Sequence, residues 1–419
     1  MASTQGKVDT LYKRGLQIYS KQLHSPFEII EETIYQEIYK KEIRQKSEPV
    51  GLRFRFRYEL RNRIESGDKE IDVAKLKAAI KKGLSKPLQK YQVGILFPIR
   101  LKLNQPLPFK SMTSKRFHAH LKIITYKQFF RKFNLTKAEE DYTKHFSKAR
   151  VDSAFKHNFC FAVITIQATD EDSATKNALQ TYEAIAHSYN AAQNLHKRTL
   201  HLGALESKPE GAFCGPIFAY CKSLSTKKVL DYRVTGTPRL KADETADFNK
   251  HQLYLARRYL HILNKVKPTP IEQRLSNCIE QFSEGTMASK RTDKVMHYWR
   301  VIEFGMTNAE EIMYEKDMIK TLKQFFYNDP DKQLMGDLVL KMRNDLIHRD
   351  IFTNSQGDNY VWWIKEYAAA TLQVLGWLNA NKIGTQTPTE IDEFFQVYKL
   401  QNNTLGNAIK LRKSRLSKK

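Results

Sequence analysis

The chain has 419 residues, of which 41% are hydrophobic and 11% aromatic, a composition that excludes a disordered protein and predicts roughly two or three folded domains. No run approaches the roughly 18 apolar residues of a membrane-spanning helix, and the first residues lack the apolar segment of a signal peptide, so we expect a cytoplasmic protein with no membrane partner. The net charge of +25 is uneven, because residues 51–150 hold 25 Lys and Arg against 8 Asp and Glu. This predicts contact with nucleic acid; a basic surface that serves only solubility is the alternative.

The N-terminal half is predicted to mix helices and strands. Apolar residues at helical spacing predict a helix within residues 1–45, and residues 72–84 predict a second, basic helix. An alanine-rich helix is expected at 170–195. Strands are predicted at 91–103, 117–130, 156–169, 214–224 and 227–236. We therefore expect a basic α/β region over residues 1–244, with one or two subdomains, that senses a ligand or binds nucleic acid.

The segment GLRFRFRYELRNR alternates apolar residues with Arg53, Arg55 and Arg57. Alternation predicts a strand that carries a row of guanidinium groups on one face. These three arginines, with Lys81 and Lys82 of the basic helix, are the predicted phosphate contacts. The alternative for the arginine row is an exposed sheet face that resists edge aggregation.

From residue 245 the pattern becomes continuously helical. A connecting helix is predicted at 245–266, a helical domain at 267–385 and a basic tail at 386–419, which gives an α+β chain whose C-terminal part is all-α. In the first domain helix Gly285 is expected just past the end. Inward positions are predicted from helical spacing at Ile271, Leu275, Cys278, Ile279, Phe282, Val295, Trp299 and Ile302.

The stretch KMRNDLIHRDIF at 341–352 overlaps two catalytic signatures. Its HRD resembles a protein-kinase catalytic loop, but the chain has no glycine-rich loop and no DFG, which excludes a kinase. The other signature is Arg343-Asn344 followed by His348. Asn344 and His348 share one face of a helix, and Arg343 lies about 100° away. Leu334, Leu338, Met342 and Leu346 are expected to form the core stripe behind them.

These residue types suit metal-independent RNA cleavage. Histidine titrates near neutrality and can remove or supply a proton, which contributes about 10²–10⁴-fold. Arginine stays charged and forks onto phosphate oxygens, and an amide can hold the histidine tautomer or a phosphate oxygen. The alternative is an arginine and a histidine solvated at a helix C-terminus, where cations are favoured.

The stretch 267–380, and above all MRNDLIH, resembles a HEPN domain, an all-helical bundle whose signature is RN followed by His near the end of a helix. The resemblance implies a metal-independent endoribonuclease with Arg343 on phosphate, Asn344 orienting, His348 transferring protons and Glu303 in support. It also implies a homodimer with a composite site. The layout is similar to ApeA-like prokaryotic defence proteins, which implies abortive infection, a toxin-like activity on RNA such as tRNA, and a phage-derived trigger or inhibitor.

Other candidates are weaker. His118 and His120 would point to the same side of a strand, but no carboxylate or cysteine lies suitably close, and four scattered cysteines form no CxxC or CxxH pair, so we expect no metal and no cofactor. Trp362 and Trp363 are expected in the core or at a dimer interface. A non-catalytic HEPN protein that binds nucleic acid, or that serves as a sensor and dimerisation module, is the alternative to the ribonuclease.

Overall fold

A computed structural model gives the fold of the chain, which divides into two compact units. The first comprises Met1–Gln92, Gln167–Lys176 and Lys222–Lys228, and the second comprises Val93–Ile166, Asn177–Cys221 and Val229–Lys419. The structure describes residues 4–20, 24–40, 52–84, 88–99, 108–133, 159–195, 210–213, 215, 218–227, 229–233, 248–306, 314–326, 329–349 and 357–381. The basic tail predicted at 386–419 lies outside these residues.

The described residues of the first unit include four complete helices, α1 (Thr4–Ser20), α2 (His24–Ile38), α3 (Leu52–Glu65) and α4 (Val73–Leu84). Each contributes apolar side chains to one core. Its buried residues include Val8, Tyr12, Ile34, Tyr35, Phe56, Leu60, Leu76 and Ile80. The helices expected within residues 1–45 and at 72–84 are therefore confirmed.

The strand predicted around Arg53, Arg55 and Arg57 is wrong, because this segment is helix α3. Its buried residues are Phe56, Leu60 and Ile64, four positions apart, so helical spacing decides the structure over local alternation. Residues two apart lie about 200° apart around a helix, so the position of Arg55 is on a different side from those of Arg53 and Arg57, and the three arginines form no single row.

Carboxylates engage two of these arginines. Arg55 pairs with Glu59 at 2.7 Å and Asp170 at 3.2 Å, and Arg57 pairs with Glu32 at 3.3 Å. The side chain of Arg53 lies outside the described residues. The geometric reason for expecting phosphate contact from this segment is thus lost.

Within the described residues, six strands form one sheet. They are β1 (Gln89–Pro98), β2 (Ser111–Ser114), β3 (Ala119–Ile124), β4 (Phe159–Ala168), β5 (Phe218–Ser223) and β6 (Val229–Arg233), in the order β2-β3-β4-β1-β5-β6. β3 runs antiparallel to both β2 and β4. Two further helices accompany the sheet, α5 (Tyr126–Phe133) and α6 (Glu171–Asn194).

The strand predicted at 117–130 is half wrong, because β3 ends at Ile124 and the rest is α5. Helix α5 places Phe129, Phe130 and Phe133 in one apolar cluster with Leu96 of β1. Gly94 permits this approach, since a Cβ there would lie 2.6 Å from the Phe133 ring. The other predicted strands and the helix at 170–195 are confirmed.

The remaining helices are α7 (Lys250–Leu263), α8 (Pro270–Met287), α9 (Arg291–Met306), α10 (Glu315–Phe325), α11 (Pro330–Arg349) and α12 (Gly357–Ala380). Helix α8 packs against α9, α9 against α12, and α10 against α11. Capping boxes fix two of the helix starts, at Asn249–Gln252 and Thr269–Glu272. No described helix has the length and apolar character that a bilayer crossing demands.

Helix α8 continues through Gly285, which we expected just past its end. A Cβ at Gly285 would lie 2.7 Å from the Tyr298 ring of α9, so the glycine allows the two helices to approach closely. The predicted inward residues of α8 and α9 are confirmed, each with at most 7% of its surface exposed.

Candidate active site

Helix α11 carries the RNx3H sequence, and its start is fixed one residue before the helix. Asp329 Oδ1 accepts a hydrogen bond from the Lys332 backbone N–H at 3.1 Å. Pro330 then occupies the first helical position, where a missing N–H costs nothing.

Two tyrosines of α12 hold the inward face of α11. Tyr367 Oη donates to the Lys332 carbonyl at 2.7 Å, and Tyr360 Oη donates to the Val339 carbonyl at 2.9 Å. Gly336 makes room for the Tyr367 ring, since a Cβ there would lie 2.9 Å from Tyr367 Cζ. The Val339 carbonyl is also the one that accepts the N–H four residues later, at Arg343. The backbone is thus anchored one turn before the motif.

The predicted core stripe of α11 is wrong at Leu334. Leu334 is 62% exposed and Leu338 only partly buried, whereas Gly336 and Val339 are buried. The side chains of Met342 and Leu346 lie outside the described residues. Arg343 follows Val339 by four positions, so it continues the inward face and does not stand on a solvent edge.

Arg343 is fixed on three sides. Its guanidinium carbon lies 5.2 Å above the Trp299 ring of α9, its Nη2 pairs with Glu315 Oε1 of α10, and its Nη1 donates to Asn344 Oδ1 at 3.0 Å. Only 14% of its side chain is exposed. A cation over an aromatic face is stabilised most when it is partly desolvated, as here. The guanidinium is therefore pre-positioned before any ligand arrives.

This guanidinium keeps unused hydrogen-bonding capacity. It carries more N–H donors than these two contacts use. Its Nε atom is buried and has no hydrogen-bond partner among the residues the structure describes. Buried donors of this kind are normally satisfied. The N–H groups of Nη1 and Nη2 that the two contacts do not use are donors of the kind that bind phosphate oxygens. The side-chain oxygen of Asn344 accepts the hydrogen bond from Arg343, so the amide N–H₂ of Asn344 can donate to another group.

Glu303, the predicted supporting residue, contacts Trp299, the residue on which Arg343 stacks. Trp299 Nε1 donates to Glu303 Oε1 at 2.6 Å, one turn along α9. Trp299 itself is 1% exposed. Glu303 thus holds the indole ring on which Arg343 stacks, a positioning role that the sequence did not specify.

His348 belongs to α11, four residues after Asn344. One helical turn separates them, so their backbone positions share a face. The side chain of His348 lies outside the described residues. The described part of the site is therefore a buried, oriented arginine and an amide, with the histidine position one turn on.

A buried ion triad links α9, which carries Trp299, to α12, whose tyrosines hold the backbone of α11. Glu210 accepts hydrogen bonds from Lys294 of α9 at 2.9 Å and from Lys365 of α12 at 2.7 Å. All three side chains are at most 4% exposed. Burial would raise the pKa of Glu210, but the charges and hydrogen bonds of Lys365 and Lys294 outweigh it and hold the pKa well below its usual range.

The main chain around Glu210 is anchored as well. Its N–H donates to the Thr286 carbonyl at 2.7 Å, and Asn190 exchanges two hydrogen bonds with the backbone of Phe213 at 2.8 and 2.9 Å. The short segment 210–213 thus connects α6 and α8 to the helices that carry Trp299 and the two tyrosines.

The other predicted residues lie elsewhere in the fold. Lys81 and Lys82 are exposed in the last turn of α4. His118 has a φ of 48° in the turn before β3, so it does not alternate with His120, which contacts Thr113 Oγ1 at 3.0 Å. Within the described residues, no group of three or more His, Cys, Asp or Glu could hold a metal ion. Trp362 and Trp363 are half-buried in α12.

Sequence reasoning missed Glu315, Tyr360, Tyr367 and Glu210. Each acts over a long sequence separation, and no local pattern marks it. Only the acidic first turn of α10, which includes Glu315, was a visible signal. Comparison with known proteins gives no further support for these assignments, because the chain matches no family model, no curated protein and no solved structure.

Proposed function

We propose that the protein is a metal-independent endoribonuclease of the HEPN type, cytoplasmic, and active in prokaryotic anti-phage defence or abortive infection. The observation that carries the proposal is Arg343, pre-positioned by Trp299 and Glu315, with N–H donors that its described contacts do not use, on the same helix and five residues before His348. The intact RNx3H sequence and its place near the end of α11 support the family assignment.

The proposed roles follow from the chemistry. The 2′-hydroxyl of RNA attacks the adjacent phosphorus and its proton passes to a base, while the 5′-oxygen leaves with a proton from an acid. His348 transfers protons, Arg343 donates hydrogen bonds to the phosphate oxygens, and Asn344 orients through its amide N–H₂. The products are a 2′,3′-cyclic phosphate and a 5′-hydroxyl.

A homodimer is part of the proposal. One histidine supplies either the base or the acid, and a second copy of the chain supplies the other. RNA, including tRNA, is the proposed substrate, and a phage-derived trigger or inhibitor would control the activity. The high positive charge of residues 51–150 supports attraction of RNA to the protein.

A second candidate is a non-catalytic nucleic-acid binder or sensor that dimerises through its helical part. The ion pair between Arg343 and Glu315 favours it, because an arginine held by a carboxylate and 14% exposed also serves packing. The two candidates differ in whether the motif changes RNA or only assembly.

The test uses chimeric oligonucleotides in EDTA. An RNA strand, the same strand with one 2′-deoxy residue at a mapped cleavage site, and the matched DNA are incubated with the protein. We expect cleavage of RNA alone, loss of the mapped cut in the deoxy strand, and cyclic phosphate ends. Cleavage at the deoxy position, or activity that EDTA removes, would refute the 2′-hydroxyl mechanism.

A further inference from the structure

A cleft of about 710 Å³ lies between the edge strand β2 and the C-terminal turns of α7. Two hydrogen bonds join its walls: Ser114 Oγ donates to Asn264 Oδ1 at 2.7 Å, and Arg116 Nη1 donates to the Leu263 carbonyl at 3.2 Å. Sites for small organic ligands typically measure about 300–1,000 Å³. The cleft therefore has the size of a site for one small molecule.

The strand wall presents backbone hydrogen-bonding groups. Within the described sheet β2 is an outer strand, paired with β3. The Ile123 N–H donates to the Lys110 carbonyl at 2.9 Å, so these two residues form a hydrogen-bonded pair. Such pairs alternate along an antiparallel ladder, so the N–H and C=O groups of Ser111 and Thr113 point away from β3. Both residues line the cleft.

The helix wall and the turn after β2 supply positive charge. Lys115, Arg257, His261 and Lys265 line the cleft, and no carboxylate is among its described lining residues. Glu272 holds Lys265 at 2.7 Å. Lys115 and Arg257 are exposed, and neither forms an ion pair with any residue that the structure describes. The positive charges of Lys115 and Arg257 are therefore both available to an anion.

The remaining surface is apolar. Val266 is 61% exposed and Met112 partly exposed, and both line the cleft beside the buried ring of Phe109. Tyr189 supports that ring, with a centroid distance of 5.5 Å. A flat ring system could lie on Met112 and Val266 without displacing the core.

We propose that this cleft binds a nucleotide. The base lies against Met112 and Val266, its polar edge meets the outward backbone groups of Ser111 and Thr113, and the phosphates face Lys115 and Arg257. The arrangement combines an apolar floor, a few convergent polar groups and arginine and lysine charge, which is what a nucleotide needs. This site is separate from the RNx3H motif and does not depend on the ribonuclease proposal.

The geometry favours a nucleotide over a longer partner. β2 has four residues, of which only Ser111 and Thr113 face outward, so an added peptide strand would gain little more than one hydrogen-bonded repeat. The bond between Ser114 and Asn264 joins the two walls and limits the path of a continuous RNA strand along the cleft.

The test is isothermal titration calorimetry of the full chain with ATP, GTP, CTP and UTP, beside tripolyphosphate, a hexauridylate and an acidic peptide. The double variant Lys115→Glu, Arg257→Glu reverses both available charges. The matched control Lys122→Glu, Lys250→Glu reverses exposed lysines on β3 and α7 outside the cleft. Circular dichroism melting checks that both variants fold.

We expect at least one nucleoside triphosphate to bind with a Kd below about 1 mM. The cleft variant should weaken this binding about tenfold or more, since two attractions become repulsions, and the control should stay within about twofold. His348→Ala should leave the binding unchanged. Four results would overturn the proposal: no triphosphate binds, tripolyphosphate binds as tightly, the cleft variant binds normally, or the hexauridylate or peptide binds more tightly than every triphosphate.

Discussion

Replacing Glu210 by glutamine tests how α9, which carries Trp299, and α12, which holds the backbone of α11, are fixed to each other. The substitution keeps the shape of the side chain but removes the negative charge between Lys294 and Lys365, which are 0% and 4% exposed. Breaking a buried ion pair by removing one partner costs about 3–5 kcal/mol, because a buried charge is left uncompensated. Here two ammonium groups share the loss, so we expect the upper part of that range.

The assay is urea and thermal unfolding of the full chain at pH 7. A loss of about 3–5 kcal/mol corresponds to a fall in Tm on the order of 10 °C for the transition of the second unit. The control is Asp337→Asn, which breaks the exposed pair with Lys323 and should cost about 0–1 kcal/mol. The triple variant Glu210→Leu, Lys294→Met, Lys365→Met should recover much of the loss, since it leaves no charge at the three positions of the triad.

The same substitution has a pH signature. The pKa of Glu210 is lower in the folded protein than the ordinary 4.5, so its ion pairs stabilise the fold above that value and lose their effect as the pH falls below it. The stability difference between the wild type and Glu210→Gln should therefore be full at pH 7 and shrink below about pH 4.5. A Tm within 1 °C of wild type at pH 7, or a triple variant no more stable than Glu210→Gln, would refute this reasoning.

Two further predictions concern the site and its support. Arg343→Lys keeps the charge but loses the planar fork and the stacking on Trp299, so RNA cleavage should fall about tenfold or more while the Tm changes little; unchanged cleavage would remove Arg343 from the mechanism. Gly336→Ala should lower the free energy of unfolding by about 1–3 kcal/mol, because the new Cβ displaces Tyr367. In the matched variant Gly376→Ala in α12, the Cβ meets no atom within contact distance, so the free energy of unfolding should rise by up to about 1 kcal/mol. Urea unfolding of the pair measures both, and equal effects of the same sign would contradict the packing argument.

Local sequence patterns predicted most of the elements, but they failed where tertiary packing decides. The alternation around Arg53–Arg57 fits a strand, yet Phe56, Leu60 and Ile64 lie on one helical face and fill the core, and that burial wins. In α11 the leucine spacing pointed to Leu334, while the buried face is set by a glycine that fits a tyrosine from another helix. Neither outcome follows from the segment alone.

The candidate site shows the same division. Arg343, Asn344 and His348 were recognisable because they lie within six residues of one helix. Their support comes from Trp299, Glu315 and the tyrosines of α12, which reach the motif only through the fold. Sequence gives the candidate residues, and long-range contacts give the orientation of Arg343.

RNA cleavage in EDTA by the wild type and by His348→Ala, on total RNA and on matched DNA, tests the proposed ribonuclease activity. Size-exclusion chromatography with light scattering checks that both proteins have the same oligomeric state. We expect the wild type to cleave RNA alone and the variant to cleave nothing, with assembly unchanged. Equal RNA cleavage by the two proteins would rule out His348 as a catalytic residue.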